Sequence, residues 1–201
     1  MSLVRKEPMV QVDELGRPTG VVSASLPTPS IRAITASELE HELLPSFIEL
    51  LQETVDGGSL LGFLPPLPHE QARDYWLSLR ADLRAGTRVL LAALDGGRVV
   101  GTGQLVCSQL PATRHRAELQ KICVARDRRG CGIGALLLTA LHTVARQRGR
   151  SLLMLNTRHG SPAQRLYRRF GYDEAGLVRG YMRGADGQRY DSVVMVREFA
   201  L

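Results

Sequence analysis

Arg128-Arg129-Gly130-Cys131-Gly132-Ile133-Gly134-Ala135 is the stretch on which the fold turns. Before it, Arg116 to Val124 alternates in the manner of a strand. After it, Ile133, Leu136, Leu137, Leu141 and Val144 recur at helical spacing on a helix expected over Gly132 to Arg148. A turn between strand and helix leaves the first helix amides unpaired and aimed outward, where with the helix dipole they form a site for a phosphate. The glycines let a phosphate approach the backbone. Arg128 and Arg129 add positive charge beside it.

Four readings compete for this turn. A P-loop needs Lys-Ser/Thr after its last glycine, and Ala135-Leu136 stands there instead. The dinucleotide fingerprint is met by Gly130 to Ala135, but about twenty residues on, where an acid belongs, the chain has Asn156. No second βαβ half follows. A pyrophosphate turn for coenzyme A fits, and so does a tight turn with no ligand.

Outward from the turn, Ser151 to Thr157 is a dense apolar strand, expected to be central and parallel to its predecessor. Ser161, Pro162 and Gln164 open a helix with an N-cap, a first-turn proline and a capping box, and Gly171 closes it. Two more strands fit near 173–179 and 191–198. Upstream, Ile31 to Ile34 reads as a strand. A capping box at Thr35 and Glu38 then starts a helix with Leu39, Leu43, Phe47, Leu50 and Leu51 on one face, kinked at Pro45 and ended by Gly57-Gly58. A proline-bearing loop leads to a helix over His69 to Ala85, striped by Ala72, Trp76, Leu79 and Leu83, with Gly86 as C-cap. A hairpin of Arg88–Leu94 and Arg98–Gln109 about Asp95-Gly96-Gly97 follows.

The chain has 201 residues, 44% of them hydrophobic and 23% charged. One domain over 31–201 is expected behind a flexible polar tail, residues 1–30. No apolar run is long enough to span a membrane, and with no secretion signal the cytoplasm is the expected compartment. Cys107, Cys123 and Cys131 are an odd number without metal-ligand spacing, so free thiols and no metal site are expected. Net charge is +6, yet 24 of the 26 basic residues are arginines scattered along the whole chain. That distribution argues against a nucleic-acid partner.

Arg129 to Gly134 resembles the Q/R-x-x-G-x-G/A signature of the GNAT superfamily of acyl-CoA N-acetyltransferases. Glu118 to Val124 is similar to that family's fourth strand. Ser161-Pro162-Ala163, Leu166-Tyr167 and Phe170-Gly171-Tyr172 resemble its second cofactor motif. Glu53 to Gly58, Gly62-Phe63, Gly180-Tyr181 and Asp186-Gly187 look like the tabtoxin-resistance type, which acetylates small amines. The resemblance implies an α/β fold with a twisted mixed sheet of about 6–7 strands and about four helices on both faces. It implies that strands 116–124 and 151–157 splay, and that the pantetheine arm of acetyl-CoA enters the gap along the backbone of Ile122, Cys123 and Val124. Arg128 through Ala135 would hold the pyrophosphate, with Asn156, Ala163 and Tyr167 also against the cofactor.

Transfer to an amine needs a neutral amine, a polarised carbonyl and a proton for the departing sulfur. Glu118 is the candidate base, directly or through water; its bland alternative is a surface partner for Arg114 or Arg116. Tyr167 is the candidate acid, since family members aim a tyrosine of this helix at the sulfur, and otherwise it is a core aromatic. A Cys123 or Val124 amide would polarise the carbonyl. Relatives of the narrower type often carry an acid where Asn156 stands, and Asp191 is a substitute. Glu53, Gly57, Gly58, Phe63 and Tyr181 would form the acceptor site, with Glu53 and Asp56 suited to a cationic amine. The expected function is acetyl transfer to a small-molecule amine. Acetylation of a protein lysine or N-terminus, and a non-catalytic coenzyme A-binding role, are the alternatives. Family members are often dimers, but no apolar surface stripe forces a homodimer here.

Overall fold

The computed structural model describes residues 28–200, so the expected tail lies almost wholly outside the described residues. Seven strands form one sheet in the order β1-β2-β3-β4-β5-β7-β6. They are β1 (Ser30–Ile34), β2 (Arg88–Asp95), β3 (Arg98–Cys107), β4 (Arg116–Val124), β5 (Leu152–Arg158), β6 (Asp173–Arg183) and β7 (Arg189–Glu198). Only β4 and β5 run parallel. Gly96 and Gly97, with φ of 56° and 85°, make the two-residue turn of the β2–β3 hairpin.

The upstream helices are broken rather than bent. The capping box of Thr35 and Glu38 is formed and starts α1 (Ala36–His41). Pro45 sits in the first turn of α2 (Leu44–Asp56), where a missing amide costs nothing. Breaking there keeps Leu39, Leu43, Phe47, Leu50 and Leu51 all buried. The helix expected over 69–85 divides into α3 (His69–Ser78) and α4 (Arg80–Ala85). Its pivot is Leu79, whose amide donates to Trp76 O at 3.2 Å while its side chain stays buried. Four expected helices therefore become six segments with α5 (Ile133–Gln147) and α6 (Pro162–Arg169).

Helices cover both faces of the sheet. A Cβ on Gly103 would come within 2.8 Å of Leu141, so the absent side chain lets α5 lie close on that face. Gln104, on the opposite face by alternation, donates to the Tyr75 hydroxyl of α3 at 2.9 Å. The buried side of α5 is Ile133, Leu137, Leu138, Leu141, His142 and Ala145; Leu136, expected to face inward, is 39% exposed. Gln164 does not close a capping box. Its Oε1 accepts from Gly160 N at 2.6 Å, one residue short of the N-cap, while Ser161 caps Gln164 N at 3.2 Å.

His142 is buried, within hydrogen-bond distance (2.9 Å) of the Tyr172 hydroxyl, and surrounded by Phe170, Tyr172 and Phe199. Burial first, then Arg197 and Arg146, pulls its pKa from 6.5 to about 4. In the folded chain the ring stays neutral where the unfolded chain takes up a proton. Its contribution is complete above pH 6.5 and is lost as pH falls toward 4. Urea midpoints measured from pH 7 down to pH 4.5 should fall less steeply for His142→Gln than for the wild type. Parallel profiles would refute the assignment.

Candidate active site

The site begins where β4 and β5 stop pairing. Their parallel register runs only from Arg116↔Leu152 to Glu118↔Met154, although β4 continues to Val124 and β5 to Arg158. Beyond Glu118 the strands splay, as expected. β4 also carries a register shift against β3 between Thr102 and Gln104. The extra residue lies at Lys121, which has φ of 49° and is the one non-glycine residue with positive φ among the described residues. Such bulges redirect side chains near functional sites. Ala125 N donates to Val100 O at 2.9 Å, across to β3. Alternation along the strand then turns the Val124 amide toward the gap.

The glycine-rich turn follows directly. Gly132 is the N-cap of α5, and Gly130 and Gly132 both have φ of 79°. The amides of Gly130, Cys131, Gly132, Ile133 and Gly134 donate to no acceptor among the described residues; helical bonding starts with Ala135 and Leu136, both to Gly132 O. Nothing lies within 4 Å of a Cβ built on Gly130 or Gly132, so it is their positive φ and not crowding that calls for glycine. At Gly134 such a Cβ would meet Leu166 at 3.3 Å, and this closeness seats α6 against α5. Five aligned donors at a helix N-terminus fit a pyrophosphate.

Arg128 does not join them. Its side chain is buried and ion-paired with Asp95 of the hairpin turn, and its amide donates to Ala125 O. It anchors the loop to the sheet rather than touching an anion. Arg129 remains exposed, with Nε donating to Val124 O at 3.0 Å. Cys131 is exposed, whereas Cys107 and Cys123 are buried.

A pocket of about 250 Å³ lies at the mouth of the splay and holds Glu118, Arg116, Met154 and Asn156. Glu118 and Asn156, distant in sequence, are thus brought together. Both are exposed, and Glu118 has no ion-pair partner among the described residues; Arg116 instead reaches Met154 Sδ at 3.9 Å. A larger cleft, about 430 Å³, lies between β1, α1 and α4 and contains none of the expected site residues.

Tyr167 is buried in α6 beside Tyr172, ring centroids 5.8 Å apart, and its hydroxyl makes no hydrogen bond to a described residue. Burial raises its pKa well above 10. Burial also raises the Cys123 thiol to about 12, which keeps it protonated at neutral pH. Ala163 is half-buried on the first turn of the same helix.

The expected acceptor residues separate into two groups. Phe63 packs edge-on to Tyr75, with ring centroids 5.3 Å apart. Gly57 and Gly58 close α2, with φ of 86° at Gly58. Glu53 is drawn elsewhere: it accepts from Arg126 N at 2.6 Å and faces Arg98 at 3.7 Å. Asp191 accepts from Gly180 N at 2.8 Å and supports the irregularity in β6, so its carboxylate is engaged by backbone. Tyr181 lies within that strand, not at a turn, and is 58% exposed.

Sequence reasoning missed Lys121, Tyr75 and Gln104. Their signals were a lysine in a chain with one other, a polar Gln104 in an apolar strand, and a tyrosine beside Trp76 in α3. Nζ of Lys121 donates to Leu61 O at 2.7 Å and lies 5.5 and 5.3 Å from the ring centroids of Phe63 and Tyr75. Leu67 N donates to Asp56 at 2.9 Å, and Leu67 O accepts from Gln52 at 2.8 Å. Segment 57–68 is therefore tied to α2 at its base and to β4 at its tip.

The model of the acetyltransferase (GNAT) family matches residues 46–172. The [ribosomal protein bS18]-alanine N-acetyltransferase of Haemophilus influenzae is 33% identical over 111 residues, 55% of this chain and 73% of that protein. The ribosomal-protein-alanine N-acetyltransferase of Brucella melitensis is 28% identical, with a TM-score of 0.67 over 85% of this chain and 99% of that one. The yncA protein of Salmonella typhimurium, solved with its cofactor acetyl-CoA, shares the fold at a TM-score of 0.68, covering 87% of this chain and 96% of that one at 15% identity. The chain belongs to the GNAT family and is an acyltransferase that takes its acetyl group from acetyl-CoA.

Proposed function

We propose that this chain moves the acetyl group of acetyl-CoA directly to a primary amine of a small molecule. The observation that carries this reading is the strap of residues 57–68, tied at Asp56, Gln52 and Lys121, which lies over the same sheet face as Glu118. A segment held down in this way suits a compact acceptor better than an extended polypeptide. The likeness of Glu53 to Gly58 and Gly62-Phe63 to the tabtoxin-resistance type points the same way. Acetylation of a protein N-terminus is the second reading, favoured by the ribosomal-protein-alanine N-acetyltransferase activity of the two relatives named above.

When bound, acetyl-CoA supplies an activated thioester. The amides from Gly130 to Gly134 would hold its pyrophosphate, and the Val124 amide would donate to its carbonyl. Glu118 would take the proton from the incoming amine, and Tyr167 would give its proton to the departing sulfur. The Cys123 thiol, held protonated by burial, is not used as an acyl carrier in this reading.

The first test is thermal unfolding with and without acetyl-CoA, with NAD as control. At one hundred times its dissociation constant a ligand stabilises by about 2.7 kcal/mol, a shift of several degrees. Thiol release should then follow small primary amines and not a peptide beginning with alanine. The opposite preference would establish the second reading, and a shift with NAD alone would sink the cofactor assignment.

A further inference from the structure

The acceptor end of the site carries the opposite charge from the one its sequence predicts. Glu53 and Asp56, the carboxylates expected to attract a cationic amine, are both engaged: Glu53 with Arg126 N and Arg98, Asp56 with Leu67 N. The charge left facing the strap is Lys121. It is half-buried, and among the described residues no carboxylate lies within 4 Å of its ammonium. Its neighbours are one carbonyl, Leu61 O, and the rings of Phe63 and Tyr75. Beneath it, Arg88 bonds Gln104 at 2.6 Å and Gln120 at 3.2 Å, while its own charge is paired with Asp82 at 3.2 Å.

A half-buried cation without a counter-ion is costly. Burial, with Arg88 adding to it, accordingly lowers the Lys121 pKa below the ordinary lysine range, while Glu118 opposes the shift. Backbone alternation places Glu118 and Gln120 on one face, and Gln104, cross-strand from Gln120, faces Tyr75 of the strap side. Lys121 therefore stands on the face that carries the candidate base.

We propose that Lys121 binds a carboxylate on the acceptor, so that the substrates are small amines bearing a carboxylate some distance from the nitrogen; this rests on the amine-acetylating reading above. A single ammonium already sharing one carbonyl matches a singly charged carboxylate better than a dianionic phosphate. The carboxylate would occupy the ammonium's remaining donors between the two rings. The amine would then extend along β4 toward Glu118.

The test is thiol release with 4-aminobutyrate, 6-aminohexanoate and Nα-acetyl-lysine, each against its methyl ester, whose distant amine is little changed by esterification. The wild type should favour the acids by about tenfold or more, mainly through KM, as expected for a hydrogen bond to a charged group. Lys121→Met should remove that preference by weakening the acids alone, and Lys121→Arg should keep part of it. Retained stabilisation by acetyl-CoA shows that each variant is folded. Equal use of acid and ester by the wild type would overturn the proposal, as would Lys121→Met weakening both alike, the mark of a strap tether only. Thiol release with esters alone leaves the amine-acetylating reading intact while removing this one. No release from any amine removes both.

Discussion

Replacing Tyr167 by Phe is expected to lower kcat for acetyl transfer by about 100-fold or more, the usual range for loss of a general acid. The substitution removes one oxygen and no packing volume. The ring stays buried beside Tyr172, and the hydroxyl has no hydrogen-bond partner among the described residues to be orphaned. Stabilisation by acetyl-CoA should be unchanged, because the amides from Gly130 to Gly134 are untouched. The pH profile adds a second check. Burial holds the hydroxyl protonated above its ordinary pKa of 10, so ionisation of Tyr167 should cost the wild type no activity below pH 10. A Tyr167→Phe enzyme with near-normal kcat would make the residue a core aromatic.

Replacing Glu118 by Gln should lower kcat/KM by about 100-fold at neutral pH, with a different signature. The side chain is exposed at the mouth of the β4–β5 splay and carries no ion pair among the described residues, so unfolding is not expected to follow. A base is needed only while the acceptor arrives as an ammonium. The deficit of Glu118→Gln should therefore shrink as pH rises toward the amine pKa, whereas that of Tyr167→Phe should not. A deficit constant from pH 7 to pH 10 would assign Glu118 to positioning instead of proton transfer. Asn156 shares the pocket but cannot take a proton, and Asp191 Oδ1 accepts from Gly180 N, which is why the base is proposed to be Glu118.

Much of this molecule was legible in the chain itself, because the signals are local. Alternation gives β4 its bounds, Arg116 to Val124. Thr35 and Glu38 must cap a helix, and Gly96-Gly97 must turn a hairpin. Glycines at 130 and 132 leave five amides without acceptors just before α5. Each follows from backbone stereochemistry over a few residues. The splay of β4 from β5 and the cofactor cradle came from the same local reading joined to the family resemblance.

Partnerships were decided by the tertiary structure alone. Arg128 reads as a phosphate ligand until Asp95, distant in sequence, buries it in an ion pair. Glu53 reads as an acceptor ligand until the fold brings Arg126 and Arg98 to it. Lys121 reads as one polar position in a strand until a bulge turns it toward Phe63, Tyr75 and Leu61. A charged side chain is long and its best partner is set by contacts across the fold, whereas caps, turns and strand alternation are settled among near neighbours. The sequence therefore determined where the backbone leaves amides without acceptors, and the packing determined which charged side chains find partners.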